Sequence, residues 1–183
     1  NCIDTLTCND MIIYPESQNC GTLNSGENCT RTFYINISQT TDPYDFYKIV
    51  GKARYKNLDN SYGIKTNVTN LDVNPTYSLE VAPNELVDTV EHNESKQVGI
   101  INISNTGNTV ITNVNLNASG GNLPNSWVTI TPNHYAGIDA GKTKQSTVTV
   151  SVPLGTSPGI YLTNINVSSN EVETKQVLLN ISC

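Results

Sequence analysis

The sequence predicts an all-β protein of two antiparallel β-sandwich domains in tandem, over residues 1–76 and 77–183. Three observations carry that reading. Val, Ile and Thr are abundant and alternate with polar residues, as half-buried strands require. Turn signals recur every 8–15 residues, with no helical period between them. The tetrapeptide INIS stands at 35–38 and again at 101–104, with LNIS at 179–182, as if one structural unit were written more than once.

The second half is the clearer one. Seven strands are expected there. The first two are YSLEVAP (77–83) and KQVGIINISN (96–105), the latter closed by the turn NTGN (105–108), whose Asn and Gly tolerate positive φ. In TVITNVNLNAS (109–119), Val110, Thr112, Val114, Leu116 and Ala118 are expected on one face and Ile111 with a row of Asn on the other. SWVTITP (126–132) follows. AGKTKQSTVTVSVP (140–153) starts on a Gly turn and places Val148, Val150 and Val152 on one face. GIYLTNINVSS (159–169) and TKQVLLNIS (174–182) complete the set.

STVTVSVPLGTSPGIYLTNINVSS (146–169) resembles the late strand–turn–strand of immunoglobulin-like modules in secreted proteins, with its V-x-V-x-V-P strand, Pro/Gly turn and G-x-Y. GIINISNTGNTVITNVNLNAS (99–119) fits the same modules through its N-x-G turn. Such modules occur in archaeal and bacterial surface-layer and other cell-surface proteins, and as accessory modules on secreted glycoside hydrolases. The resemblance covers about 78–182. It implies an immunoglobulin-like sandwich over that span and, together with the cysteines, an extracellular setting, but not a role, because these modules serve many. With the related first half, two immunoglobulin-like sandwiches in tandem are expected.

The first half reads as a shorter relative. Sliding the chain by 66 residues lays FYINISQT on GIINISNT. About five strands are expected, at 11–14, 31–38, 45–55, 62–69 and 71–74, fewer than a sandwich needs. Disulfides, or a strand lent by a neighbouring molecule, would make up the deficit.

On a strand, I-N-I-S sends both Ile inward and Asn and Ser outward. N-x-S/T is also the acceptor pattern for N-glycosylation. Eight such sites occur: Asn28, Asn36, Asn67, Asn93, Asn102, Asn117, Asn166 and Asn180. With 26 Asn and 37 Ser plus Thr, about five would arise by chance, so the excess is mild. N-linked glycans are nonetheless expected at several, since charged residues make up only 14% of the chain and amides and hydroxyls take their place.

The net charge of −6 disfavours nucleic acid as a partner. No stretch has the length and apolarity of a transmembrane segment. Four of the five cysteines fall in the first 29 residues, the pattern of an oxidising compartment. The sequence leaves their pairing open. Cys20–Cys29, flanking the turn-like GTLNSGEN, is the preferred pair and Cys2–Cys8 the second, which leaves Cys183 as a candidate for an intermolecular disulfide.

Catalytic chemistry is not in evidence. G-x-S-x-G, P-loop, H-E-x-x-H and dinucleotide fingerprints are absent. His92 and His134 lie in loop-like stretches, and Glu80, Glu85, Asp88, Glu91 and Glu94 are spaced as an exposed acidic loop. No cofactor is expected. Calcium is the least weak metal case, with Asp42, Asp45, Asp59 and Asn60 as oxygen ligands. Tyr34, Tyr44, Phe46, Tyr47, Tyr55 and Tyr62 are read first as core, then as a subunit contact, then as a sugar platform.

The expectation drawn from all this is a non-enzymatic structural subunit of an extracellular, cell-surface assembly. Copies of the chain would join head to tail by strand donation or disulfide into a filament, sheath or surface layer. The alternative is a carbohydrate-binding or adhesin module of a larger secreted protein, with surface glycans as partner. An aromatic cluster left exposed would favour the alternative.

Overall fold

In the computed structural model, residues 11–39, 41–44 and 46–183 are described. The chain divides into two compact units, Asn1–Pro75 and Thr76–Cys183. Both are all-β, and among the described residues no helix is long and apolar enough to cross a membrane.

In unit 1, β1 (Met11–Tyr14) pairs antiparallel with β2 (Tyr34–Ile37), Met11 facing Ile37 and Tyr14 facing Tyr34. The loop between them is closed by a Cys20–Cys29 disulfide, with Cα atoms 5.9 Å apart. Inside that loop, the Asn24 amide donates to the Glu27 carboxylate at 2.7 Å and the Glu27 amide to the Asn24 carbonyl at 3.0 Å. The first of these bonds holds the Glu27 carboxyl below its usual range. GTLNSGEN is therefore a hydrogen-bonded turn stapled at its ends. Cys2–Cys8 lies outside the described residues.

A second antiparallel hairpin, β3 (Tyr47–Lys56) with β4 (Tyr62–Leu71), forms a separate sheet. Its turn closes through the Asn57 amide on the Ser61 carbonyl at 2.8 Å, with Asn60 at φ 64°. The described residues of 1–76 do not by themselves build the expected sandwich. Among the described residues they form two separate two-stranded sheets, residues 72–74 add no strand, and Thr41 alone is buried. A hairpin with no layer across from it has nowhere to bury an apolar face.

Unit 2 is a two-layer sandwich of nine strands. These are β5 (Leu79–Ala82), β6 (Glu85–Thr89), β7 (Ser95–Asn105), β8 (Ile111–Ser119), β9 (Val128–Thr131), β10 (His134–Ile138), β11 (Thr143–Ser151), β12 (Ile160–Ser168) and β13 (Lys175–Ser182). One sheet runs β5-β7-β11-β9 and the other β10-β8-β12-β13-β6. That order is the immunoglobulin arrangement, with an added strand at each edge of the second sheet, β10 and β6. The chain changes sheets at Pro83–Asn84: β5 pairs antiparallel with β7, and β6 pairs parallel with β13.

The core follows the alternation of the strands. Ile101 and Ile103 of β7 meet Val148 and Val150 of β11 and, from the facing sheet, Ile165 and Val167 of β12 and Leu179 and Ile181 of β13, all 0% exposed. Burying each such side chain contributes about 1.5–3 kcal/mol. Both Ile of INIS at 101–104, and Leu179 with Ile181 of LNIS, thus point inward.

Two expectations need correcting. In β8 the buried residues are Ile111, Val114 and Leu116, while Val110 is 41% exposed. Asn113 adopts φ 53°, a left-handed conformation that Asn tolerates, and this shifts the alternation by one residue. The neighbouring Thr112 amide and hydroxyl donate to the Glu171 carboxylate at 2.9 and 2.5 Å, so the irregular stretch keeps its partners. The second correction concerns β6 and β10, read as loops from the sequence. Both are short edge strands: β6 carries Glu85 and Asp88, and β10 holds Ala136 and Gly137. Charge is a usual feature of edges, and it removes the apolar alternation that marks a strand.

The β7–β8 turn grips the chain as it enters unit 2. The Thr76 amide donates to Asn108 Oδ1 at 2.7 Å, the Asn108 amide to the Thr76 carbonyl at 3.1 Å, and the Thr106 amide to the Ser78 carbonyl at 2.9 Å. Gly107 is required there, since a Cβ would lie 2.2 Å from the Thr76 oxygen.

Candidate functional site

The carboxylates singled out in the sequence do not converge. Glu80 lies on β5, Glu85 and Asp88 on β6. Asp88 binds Lys96 Nζ at 2.7 Å, which holds its carboxyl below the usual range and raises the lysine. Glu94 turns back to accept the Glu91 amide at 2.8 Å. His92 is exposed in the β6–β7 turn. His134 begins β10, not a loop, with Nδ1 2.9 Å from Asn115 Oδ1.

Of the calcium candidates, Asp45 lies outside the described residues. Asp42 accepts the Tyr44 amide at 2.8 Å, and Asp59 accepts the Ser61 hydroxyl at 2.6 Å and its amide at 2.9 Å. The Ser61 hydroxyl lowers the Asp59 carboxyl from its usual value. Each carboxylate thus serves its own turn. Among the described residues no group of three or more His, Cys, Asp or Glu gathers as metal ligands would.

The glycosylation candidates all stand outside the core. Asn28, Asn36, Asn67, Asn93 and Asn117 are exposed, while Asn102, Asn166 and Asn180 are half-buried. Asn102 Oδ1 accepts Gln145 Nε2 at 2.8 Å. Among the described residues Cys183 forms no disulfide, and it is half-buried against the core. Burial pushes its thiol pKa up, with the Glu91 charge adding to the effect. A thiol held protonated in this way is a poor nucleophile for disulfide exchange.

The aromatics of unit 1 are not core. Tyr34 is 63% exposed, Tyr44 67%, Phe46 86% and Tyr62 77%. Only Tyr47 of the six is half-buried. In unit 2, Trp127 packs on Tyr161 with ring centroids 5.5 Å apart, and the Tyr161 hydroxyl donates to the Ser157 carbonyl at 2.8 Å. Both rings lie against the core and are half-buried there.

What unit 2 does offer is a flat polar face. On the outer side of the five-stranded sheet, Asn166 of β12 stands between Asn117 of β8 and Gln176 of β13. Gln176 Nε2 donates to Asn166 Oδ1 at 3.0 Å, and Asn166 Nδ2 to Ser119 Oγ at 2.5 Å. One step along, Asn180 lies between Leu162 and Val87, and its amide reaches the Glu85 carboxylate at 3.4 Å. Fixed amides keep spare donors and acceptors pointing outward. Beside them lie exposed Val87 (65%) and Ile160 (66%). A shallow open depression lined by Leu79, Val81, Glu80 and Lys175 lies near β5. Its walls carry no ring against which a sugar could stack.

Residues 94–169, from the start of β7 to the end of β12, match the family model described as NPCBM-associated, NEW3 domain of alpha-galactosidase. Among curated proteins none matches the chain. Among solved structures, a family 123 glycoside hydrolase from Clostridium perfringens, described for glycolipid glycan hydrolysis, superposes with a TM-score of 0.51 at 12% identity. The overlap takes in 58% of this chain and 27% of that one, so it spans about a quarter of the hydrolase. PapD-like domain 7 of human CEP192 gives a TM-score of 0.44 at 12% identity, over 57% of this chain and 83% of that one. The Escherichia coli chaperone DraB gives 0.44 at 12% identity, over 57% and 54%. At these identities the likeness is one of fold.

Proposed function

We propose that the chain is a non-catalytic, glycan-binding module of a larger secreted protein, and that the outer face of the five-stranded sheet is where unit 2 meets sugar. The observation that carries this is the match of residues 94–169 to a domain described from alpha-galactosidase, which falls on the best-packed part of the molecule. The exposed rings of unit 1 support the same reading, being the feature expected of a binding module. The disulfide fits an extracellular setting. A filament subunit is the weaker reading. Its proposed covalent link, Cys183, packs against the core.

Asn117, Asn166 and Asn180 cannot both carry glycans and contact a glycan ligand, so the face is expected to be unmodified. The test is retention of the full chain on a panel of neutral polysaccharides, comparing wild type with N166A/Q176A. Retention that the double variant loses, with unchanged unfolding, supports the assignment. Absence of retention on every polysaccharide sinks it, as does excess mass on peptides holding these three asparagines.

A further inference from the structure

The β3–β4 hairpin carries an uncancelled line of charge. Lys48, Lys52, Arg54 and Lys56 occupy even positions of β3, so all four stand on one face, and all four are exposed. They are four of only ten Lys and Arg in the chain. The segment 47–71 holds five cations and one carboxylate, Asp59, in a chain whose net charge is −6. Among the described residues none of the four forms an ion pair. Neighbouring cations on alternate residues stand about 7 Å apart, and the row runs about 27 Å from Lys48 to Lys56. Like charges at that spacing repel, and a bound polyanion would relieve them.

The cross-strand neighbours narrow the partner. Lys48 faces Asn70, Lys52 faces Thr66, and Lys56 faces Tyr62, whose ring centroid is 5.8 Å from Lys56 Nζ. Beside the cations there is thus an amide, a hydroxyl and an exposed aromatic ring, which suit sugar hydroxyls and the apolar face of a pyranose. A single line fits a linear polymer better than a bilayer, and the tip carries Asp59, whose charge opposes insertion among anionic lipids. The Cys20–Cys29 disulfide indicates an oxidising compartment, where acidic glycans are the abundant polyanions.

We propose that this face of β3 binds a linear acidic polysaccharide, a uronate polymer being the simplest case. The site is separate from the unit 2 face and does not depend on that assignment.

The experiment uses the full chain and polygalacturonate, with neutral dextran, phosphatidylglycerol vesicles and single-stranded DNA as comparisons. Two double variants remove the same charge: K52Q/R54Q on the hairpin and K142Q/K144Q on unit 2. Polygalacturonate is expected to bind in a salt-sensitive manner, and any retention on dextran to be insensitive to salt and unchanged by K52Q/R54Q. The hairpin variant should weaken polygalacturonate binding roughly fivefold to tenfold, and the unit 2 variant should leave it unchanged. Equal losses in the two variants, no binding, or tighter binding to vesicles or DNA would each overturn the proposal. Retention on neutral polysaccharides is read in the same variants, so failure of one site is not confused with failure of the other.

Discussion

In unit 2 the side chains of Ile101 and Ile103 are 0% exposed, whereas in unit 1 Ile37, from the same tetrapeptide, keeps 38% of its surface in water. The first copy lies on β2 up to Ile37 and the second wholly on β7, and in both the Asn between the two Ile takes the opposite side. The difference is what stands opposite. A second sheet covers β7, and no layer covers β2 among the described residues of unit 1. Alternation makes a face available for burial, and only a second layer buries it. Unit 2 can therefore rest on its core. Unit 1 relies on a staple, turns and hydrogen bonds, and it keeps its cations and rings at the surface.

The sharpest way to break the comparison is to shorten matched isoleucines. Ile103→Ala should destabilise unit 2 by about 2–5 kcal/mol. Ile37→Ala should change stability by no more than about 0.5 kcal/mol. Urea unfolding of the full chain, followed by hydrogen exchange to separate the units, reads both. Equal effects would mean that β2 is covered after all. Next in size, C20S/C29S should cost about 2–3 kcal/mol, from the unfolded-chain freedom that a loop of this length regains. Protection should fall in β1 and β2 and be retained in β7. Gly107→Ala follows, at roughly 1–3 kcal/mol, because the added methyl must push the Thr76 carbonyl aside. Amide exchange at Thr76 and Asn108 should rise, and core amides should hold.

The smallest effect is electrostatic. The Asp88 carboxyl is held below its unfolded value by Lys96. Its contribution is therefore present above the unfolded carboxylate range and lost as pH falls through the lower folded value. Lys96→Gln should lower the melting temperature slightly near neutrality, and the two curves should converge toward about pH 2. A constant difference across that range would show that the lysine acts through packing.

Much of unit 2 was legible because its central strands carry β-branched residues at every second position. Val148, Val150 and Val152 fall on one buried face as their spacing requires. The edge strands β6 and β10 were not legible, since charge and small residues replaced the pattern. Neither was the shift at Asn113, which depends on Glu171, 58 positions further along the chain, supplying the hydrogen bonds. The cationic row on β3 was there to read as K-x-V-x-K-x-R-x-K, but the net acidity of the whole chain concealed it.

By itself the sequence determined the all-β class, the alternation that puts the apolar residues of the strand motifs on one side, the preference for a turn at 21–28 between Cys20 and Cys29, and the scarcity of charge. These follow from local rules: side-chain alternation, turn chemistry and loop length. Only the tertiary structure decided which alternating strands are covered, which sheet each strand joins, and that the aromatics of unit 1 face water. Those outcomes depend on contacts between residues far apart in the chain, and no local pattern encodes what will lie across from a strand.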